Sequence, residues 1–476
     1  MKKPPSLQKP AIHFIGIGGI GVSSLAQWFL AQNWAVSGSD IARSVITDEL
    51  RKAGVKVKIG HEKAHIPAEA ILCIYTKAIR AENPEFREAK RRNLPLLSYA
   101  EAVGYLTRNH ETIAVSGAHG KSTTTALAAL TLIRAGMDPT VVIGTRLREL
   151  PHGNFLNGKS AWLVLEADEY GKAFHNYHPL LAIVTTIDAE HLDTYKNLAG
   201  VKRGFLKFIG NIRDGGTLIL NKDDKNILSL RRTIEKIAKQ KAQKILWYSL
   251  RDRDAENVRR VLAIPGGHNV MNALAVLRLT QALGISERVA LTVFKNYHGS
   301  WRRFEYRGMF QVSGFKLQVY DDYAHHPTEI KATLQAFREK YPRSPIICVY
   351  QPHQAERLKR LWKEFQDAFA LADITLMMPT YRVAGRDKEH PTYNAKQLVA
   401  AIWKRHPKQR TFYLDNPKNL KDAVSTLIRT FGEESCEPIS REQLKTKNSK
   451  LKTAVVIMMG AGNIVDYTKR LVSMKK

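Results

Sequence analysis

The chain has 476 residues, length for about three domains, and its 44% hydrophobic and 25% charged residues suit a globular protein with sizeable cores. No stretch approaches ~18 uninterrupted apolar residues, which excludes a membrane-spanning helix. Three cysteines (Cys73, Cys348 and Cys436) form no Cys-x-x-Cys pair, which excludes a zinc site of that kind and fits a reducing, cytoplasmic setting. Basic residues outnumber acidic ones 74 to 44, a net charge of +30, yet no run of five occurs. The excess reads as a solvated surface that favours small anionic substrates, with no nucleic-acid partner.

In chain order, the Lys/Pro-rich start Met1–Pro10 lacks the apolar core of a secretion signal. An apolar strand over Ile12–Ile17 runs into Gly16-Ile17-Gly18-Gly19-Ile20-Gly21, and a helix follows from Val22 to about Ala31. Strands are predicted at Trp34–Gly38, Val55–Ile59 and Ala70–Thr76, with helices between. The alternation predicts a doubly wound parallel sheet with its ligand at the carboxyl strand edge. The glycine loop offers a helix N-terminus to a pyrophosphate, and Asp40 lies where dinucleotide folds place a ribose-binding acid. NAD and UDP-sugars both carry a pyrophosphate, so this loop alone does not separate them.

A second unit starts near His110. The strand Thr112–Val115 enters Gly117-Ala118-His119-Gly120-Lys121-Ser122, and an alanine-rich helix follows from about Thr123. This is a shortened phosphate-binding loop. Small residues let backbone N–H groups close on phosphate oxygens, Lys121 reaches the β/γ-phosphates, and the Ser122 hydroxyl can ligate Mg²⁺. The strand Trp162–Leu165 ends at Glu166-Ala167-Asp168-Glu169, carboxylates placed to hold Mg²⁺ through oxygen. The strand Leu181–Thr185 leads to Asp188-Ala189-Glu190-His191, where an imidazole has a metal or phosphate role open to it. A strand over Gly215–Leu220 and a helix over Val270–Leu283 complete the unit.

A third unit begins around His298. Trp301-Arg302-Arg303-Phe304-Glu305 stands at the junction, where an arginine can close onto a phosphate. Strands are predicted at Leu317–Tyr320, Ile346–Tyr350, Ile374–Met378 and Val455–Met459. Asp321-Asp322-Tyr323-Ala324-His325-His326-Pro327-Thr328-Glu329 follows the first of them, and a helix cap accounts for Thr328 and some of the acids but not for two histidines. Glu433–Lys452 reads as a polar surface loop.

Taken together and in this order, these motifs resemble the Mur ligases, ATP-dependent amino-acid ligases of peptidoglycan synthesis. Further matching runs are His268-Asn269-x-x-Asn272-Ala273, Tyr350-Gln351-Pro352-His353 and Gly460-Ala461-Gly462, and the likeness covers nearly the whole chain. The resemblance implies an α/β protein of three domains: a Rossmann-like UDP-substrate domain over 1–108, a central P-loop ATPase over 109–298, and a Rossmann-like amino-acid domain over 299–476. It is nearest the alanine-adding branch. The implied reaction ligates L-alanine to UDP-N-acetylmuramate through an acyl phosphate, with ATP and Mg²⁺.

On the same footing, Gly117, Ala118, His119, Gly120, Lys121, Ser122 and Thr123 would hold the phosphates, Asn272 the adenine, Arg302 the γ-phosphate, and Asp322 would lie near the nucleotide. Ser122 and Glu166 would hold one Mg²⁺, and His191 would help hold a second. Gly16, Gly18, Gly19, Ile20, Gly21 and Asp40 would receive the uridine diphosphate; Tyr323, His325 and Arg357 would line the acceptor side. Lys121, His191, Arg302 and His325 are the expected catalytic set. The chain departs from the family pattern at Ala118, at Gln354 in place of an acceptor-side arginine, and at Tyr99 near the first linker. A ligase attaching a whole recycled tripeptide is the rival within the class, and an NAD-dependent dehydrogenase the rival outside it, though the latter leaves Lys121-Ser122 without a task. Oligomeric state is not legible.

Overall fold

The computed structural model describes residues 9–312, 315–382, 392–433 and 452–472. Apart from its two end residues, the loop expected over Glu433–Lys452 lies outside them, as does Cys436. Three sheets carry three α/β domains in two compact units. The first two sheets share residues 1–262 with 270–297, and the third belongs to residues 263–269 with 298–476.

The first sheet is wholly parallel. Its strands are β1 (Ala11–Ile15), β2 (Ala35–Asp40), β3 (Lys56–Ile59), β4 (Ala70–Tyr75) and β5 (Leu96–Ser98), in the order β3-β2-β1-β4-β5. The winding reverses between β1 and β4, which opens a ligand crevice outside their carboxyl ends. The second sheet contains β6 (Glu111–Ser116), β7 (Thr140–Val142), β8 (Phe155–Leu156), β9 (Trp162–Glu166), β10 (Leu181–Val184), β11 (Thr217–Asn221) and β12 (Lys244–Tyr248), ordered β12-β11-β10-β6-β9-β7-β8. Only the edge strand β8 runs antiparallel. The third has β13 (Glu305–Val312), β14 (Phe315–Asp322), β15 (Ile346–Tyr350), β16 (Ile374–Met377), β17 (Thr411–Tyr413) and β18 (Lys452–Met459), ordered β13-β14-β18-β15-β16-β17, with β13 antiparallel to β14.

The central strands read as unbroken apolar runs because both faces are covered: every residue of β1, β10 and β15 is buried. The strands β5, β7, β8, β12 and β17 were not expected: β12 is a half-exposed edge strand, and the others have only two or three residues, which carry no period. The edge strand β13 was missed because it is half exposed, with Tyr306 and Met309 open to solvent. The helices expected from Val22 and Thr123 begin earlier, at Ile20 and Lys121, so each glycine loop runs directly into a first turn.

One polar cluster lies inside the first domain. His13, fully buried on β1, meets Glu85 Oε2 at 3.1 Å and Ser37 Oγ at 2.9 Å. Ser39 donates to the same carboxylate at 2.6 Å, and His61 and His65 approach its other oxygen at 3.3 and 3.2 Å. Burial pushes the Glu85 carboxyl up, but hydrogen bonds from His13 and Ser39 and the neighbouring imidazoles outweigh it and hold it below the usual carboxylate range.

Asn154, just before β8, joins the first two sheets. Its amide donates to Ile20 O at 2.6 Å, Ser24 Oγ at 2.7 Å and Ser23 Oγ at 3.0 Å, all on the helix Ile20–Ala31. Asn154→Ala removes these three hydrogen bonds across the join and is expected to lower stability by roughly 1–3 kcal/mol, read as a shift of the urea midpoint at unchanged slope. An unchanged midpoint would remove Asn154 from the join.

Candidate active site

The phosphate loop sits where β6 ends between β10 and β9. Val115 pairs with Glu166, and Ser116 with Val184, so three strand ends converge on the loop. Gly117 has φ 141°, and a Cβ there would collide with Thr185 Oγ1; Gly120 has φ 82°, and a Cβ there would collide with Asn272 Oδ1. Both glycines are required by backbone conformation and by close approach. The Ala118 N–H donates to Thr186 O and the His119 N–H to Thr186 Oγ1, both at 2.9 Å. His119 Nε2 meets Asp188 Oδ2 at 3.1 Å. No side chain caps the helix Lys121–Arg134, so its first N–H groups and its positive dipole end face the loop. Thr123, in that first turn, is buried, and Asn272 stands against Gly120.

Lys121 bends back into its own loop, donating to Gly117 O at 2.6 Å and to Glu169 Oε1 at 3.0 Å, with Glu169 Oε2 at 2.9 Å. Burial opposes both charges. The Glu169 and Asp168 carboxylates overcome it and raise the Lys121 ammonium above its ordinary range, while Lys121 and His191 bring Glu169 from 4.5 down to about 2. His191 takes a left-handed backbone, φ 53°, that turns Nε2 to within 3.5 Å of Glu169 Oε1. Burial disfavours the His191 charge, yet bonding to Glu169 raises its pKa. The ligand atoms of Asp168, Glu169 and His191 all lie within 4.8 Å of one another.

A second pair lies beside this one. Ser122 Oγ donates to Glu166 Oε1 at 2.8 Å, and the Gly144 N–H fixes Oε2 at 2.8 Å. The structure therefore separates the expected metal residues into two neighbouring groups, Ser122 with Glu166 and His191 with Asp168 and Glu169. The sequence named Glu169 only as one of three strand-end acids placed for Mg²⁺ and not as the partner of Lys121, because strand alternation ends at Glu166 and gives no facing for the acids beyond it.

In the first domain, Gly19 caps the helix Ile20–Ala31 without a side-chain bond, leaving its N-terminus open. Gly16, at φ 85°, passes close to Thr76. Asp40 accepts the Gly18 N–H at 2.7 Å, so its carboxylate shapes the loop itself. The Tyr99 hydroxyl lies 2.7 Å from where a Gly21 Cβ would stand, so Tyr99 underlies the loop.

In the second unit, Arg302 is buried at φ 56°. Its guanidinium donates to the carbonyls of Gly460, Ala461 (3.4 Å) and Gly462 (2.9 Å) and lies 4.9 Å over the Tyr323 ring. Asp322 is buried and accepts the N–H groups of Phe304 and Ala324, both at 2.9 Å. His326 is itself the cap of the helix Pro327–Lys340, which accounts for one of the paired histidines. The other, His325, bonds Glu329 at 3.1 Å and packs edge-on to Tyr323 and His353. His353 stacks on Tyr381 at 5.6 Å, so these two join the aromatic group that Tyr323 and His325 begin. Arg357, on the short helix Ala355–Arg360, lies close enough to Tyr350 for its charge to act there, and the Tyr350 hydroxyl donates to His325 O at 3.3 Å. Gln354 opens that helix at φ 67°.

Three family models match the chain: "Mur ligase family, catalytic domain" over residues 11–111, "Mur ligase middle domain" over 115–280, and "Mur ligase, glutamate ligase domain" over 302–434. The UDP-N-acetylmuramate–L-alanine ligase of Clostridium botulinum (strain Loch Maree / Type A3) is 36% identical over 432 residues, 86% of this chain and 91% of that protein. The enzyme of the same name from Acetivibrio thermocellus is 37% identical, over 92% and 96%. Among solved structures, a UDP-N-acetylmuramate–alanine ligase from Thermotoga maritima aligns with TM-score 0.74 at 26% identity, over 97% of this chain and 98% of that one. A murein peptide ligase from Psychrobacter arcticus shares the fold at TM-score 0.65 and 22% identity, over 97% and 98%.

The buried pair gives a pH signature. The Glu169 carboxyl titrates at about 2 in the folded chain against 4.5 ordinarily, so its contribution is whole above pH 4.5 and lost as pH falls toward 2. Glu169→Gln is expected to cost roughly 3 kcal/mol at pH 7, with the gap to the parent closing below pH 4.5. Urea unfolding at pH 7, 4 and 3 reads this; a gap independent of pH would contradict the pair.

Proposed function

The chain belongs to the Mur ligase family, and from that premise we propose that it joins L-alanine to UDP-N-acetylmuramate with consumption of ATP, in the synthesis of peptidoglycan precursors. The observation that carries this reading is a phosphate loop whose lysine and serine each meet a strand-end carboxylate, in a chain 36% identical to enzymes of that name. The tripeptide-ligase reading has less behind it, since that neighbour shares the fold alone.

The nucleotide supplies a phosphoryl group to the muramyl carboxylate, giving an acyl phosphate that the alanine amine displaces through a tetrahedral intermediate, with ADP and phosphate as products. Lys121 and the open amides at the start of the helix Lys121–Arg134 hold the β/γ-phosphates, Lys121 exchanging the Gly117 carbonyl for phosphate oxygen, while the Ala118 and His119 N–H groups keep the loop on Thr186. Asn272 contacts the adenine. Ser122 and Glu166 fit Mg²⁺: their oxygens stand 2.8 Å apart, and adjacent ligands of an octahedron with bonds of 2.0–2.1 Å are separated by about 2.9 Å. Asp168, Glu169 and His191 offer a second set, in which Glu169 also fixes Lys121. Mg²⁺ there would neutralise charge on the phosphoryl oxygens.

The Gly16–Gly21 loop, braced by Asp40, takes the uridine diphosphate at the open N-terminus of the helix Ile20–Ala31. Tyr323, His325 and Arg357, with His353 and Tyr381, form the acceptor side. Arg302 reaches a phosphate only by giving up the carbonyls of the 460–462 loop, and Asp322 keeps that segment in shape through the Phe304 N–H. The domain roles are those of a UDP-substrate domain, an ATPase and an amino-acid domain over 1–108, 109–298 and 299–476. Among the described residues no helix is long and apolar enough to cross a membrane, and the nucleotide substrates place the reaction in the cytoplasm.

The direct test is phosphate release from ATP with Mg²⁺ and UDP-N-acetylmuramate, with and without L-alanine, glycine, L-serine or the murein tripeptide. Release that requires both UDP-N-acetylmuramate and L-alanine is expected; dependence on the tripeptide alone would transfer the chain to the recycling branch. Lys121→Ala is expected to lower turnover on the order of 100- to 1,000-fold while UDP-substrate binding, measured by calorimetry, stays intact. His191→Ala is expected to raise the Mg²⁺ concentration needed for half-maximal rate, and an unchanged Mg²⁺ dependence would take His191 out of the metal set.

A further inference from the structure

Beside Tyr195, the central domain has a cavity of about 400 Å³ whose charged lining residues, among those described, are all cationic. Lys172, Lys196, Arg203 and Lys207 line it with His175, and among the described residues no carboxylate forms an ion pair with any of the four cations. Its floor is firm. A Cβ at Gly204 would lie 2.6 Å from Tyr195 Cε1, and Tyr195 is buried, with its hydroxyl donating to Glu169 O at 2.7 Å. The positive field registers on His175: burial first, then the charges of Lys207 and Lys172, hold its imidazole below the ordinary range.

The backbone is an independent sign. Lys172 has φ 64° and ψ 27°, following Gly171 at φ 60°, and Lys196 has φ 69° and ψ −49°, near the rare, strained γ-turn geometry. Lys172 and Lys196, both solvent-exposed, thus line the cavity from backbone conformations that L-residues with long side chains avoid, and such strain persists where a site over-determines it. Four cations with no carboxylate partner among the described residues, one of them a forked guanidinium, match the oxygens of a phosphate group better than a single carboxylate, and the volume admits two linked phosphates.

We propose that this cavity is an anion site for a diphosphate-class ligand, separate from the two glycine loops. Its floor, Tyr195, bonds the backbone of Glu169, the partner of Lys121. The site goes beyond the ligase reading and stands whichever acceptor that enzyme uses.

Pyrophosphate is the probe, titrated calorimetrically into the full chain with ADP saturating the phosphate loop. Arg203→Gln/Lys207→Gln, both exposed on the helix Leu198–Gly210, is expected to weaken binding on the order of tenfold or more with an unaltered melting temperature in the absence of pyrophosphate. Lys196→Gly is expected to melt higher, because glycine relieves the strain, and yet to bind pyrophosphate more weakly. Equal affinity in the parent and in these variants would overturn the proposal. Binding that persists with UDP-N-acetylmuramate also saturating sustains the site; complete displacement by UDP-N-acetylmuramate would return the pyrophosphate to the Gly16–Gly21 loop and overturn it.

Discussion

Everything in the central domain is arranged around one buried ion pair. Lys121 cannot leave its ammonium unpaired beneath the phosphate loop, since an isolated buried charge costs several kcal/mol or more. Glu169 is the partner that meets this constraint, and meeting it draws three strand ends together: the loop after β6 brings the lysine, the turn after β9 brings the carboxylate, and the segment after β10 brings His191 and Tyr195. The same pair leaves Lys121 poised for phosphate. Its other contacts, the Gly117 and Ala118 carbonyls, are neutral acceptors that an anionic oxygen readily replaces.

Two neighbouring pairs divide the labour that a single motif seemed to hold. Glu166 is fixed by the Gly144 N–H and receives the Ser122 hydroxyl, while Glu169 is committed to Lys121 and His191. The two carboxylates lie three residues apart in sequence but differ in task, because one terminates a strand and the other enters the following turn. The first domain uses its acids in the same way. Asp40 braces the glycine loop, and Glu85 organises an interior of histidines and serines. The net charge of +30 suits the anionic substrates that both glycine loops are built to take, since a positive surface raises the encounter rate of anions.

Much of this was legible before any coordinates. Long apolar strands, the two glycine loops and the strand-end acids were readable because period, spacing and the steric needs of phosphate binding are local properties of the chain. Short strands such as β5 and β8 were not, since a two- or three-residue strand is defined by its neighbour and not by its own pattern. The pairing of His326 with a helix terminus was likewise hidden: histidine is an uncommon cap, and only the turn of the chain at Pro327 puts its ring over the first N–H groups.

The linear chain by itself determined the α/β class, the order of the glycine loops and the run of acids that ends the strand beside the second of them. It did so because backbone conformation at glycine and the run from strand to helix are set within a few residues. Tertiary structure alone decided which acid pairs with Lys121, that Arg302 is turned onto the 460–462 carbonyls, that His13 is buried against Glu85, and that four cations scattered from Lys172 to Lys207 line one cavity. These depend on which residues distant in sequence become neighbours when the sheets are buried, and charge–charge and desolvation energies act only across those folded distances.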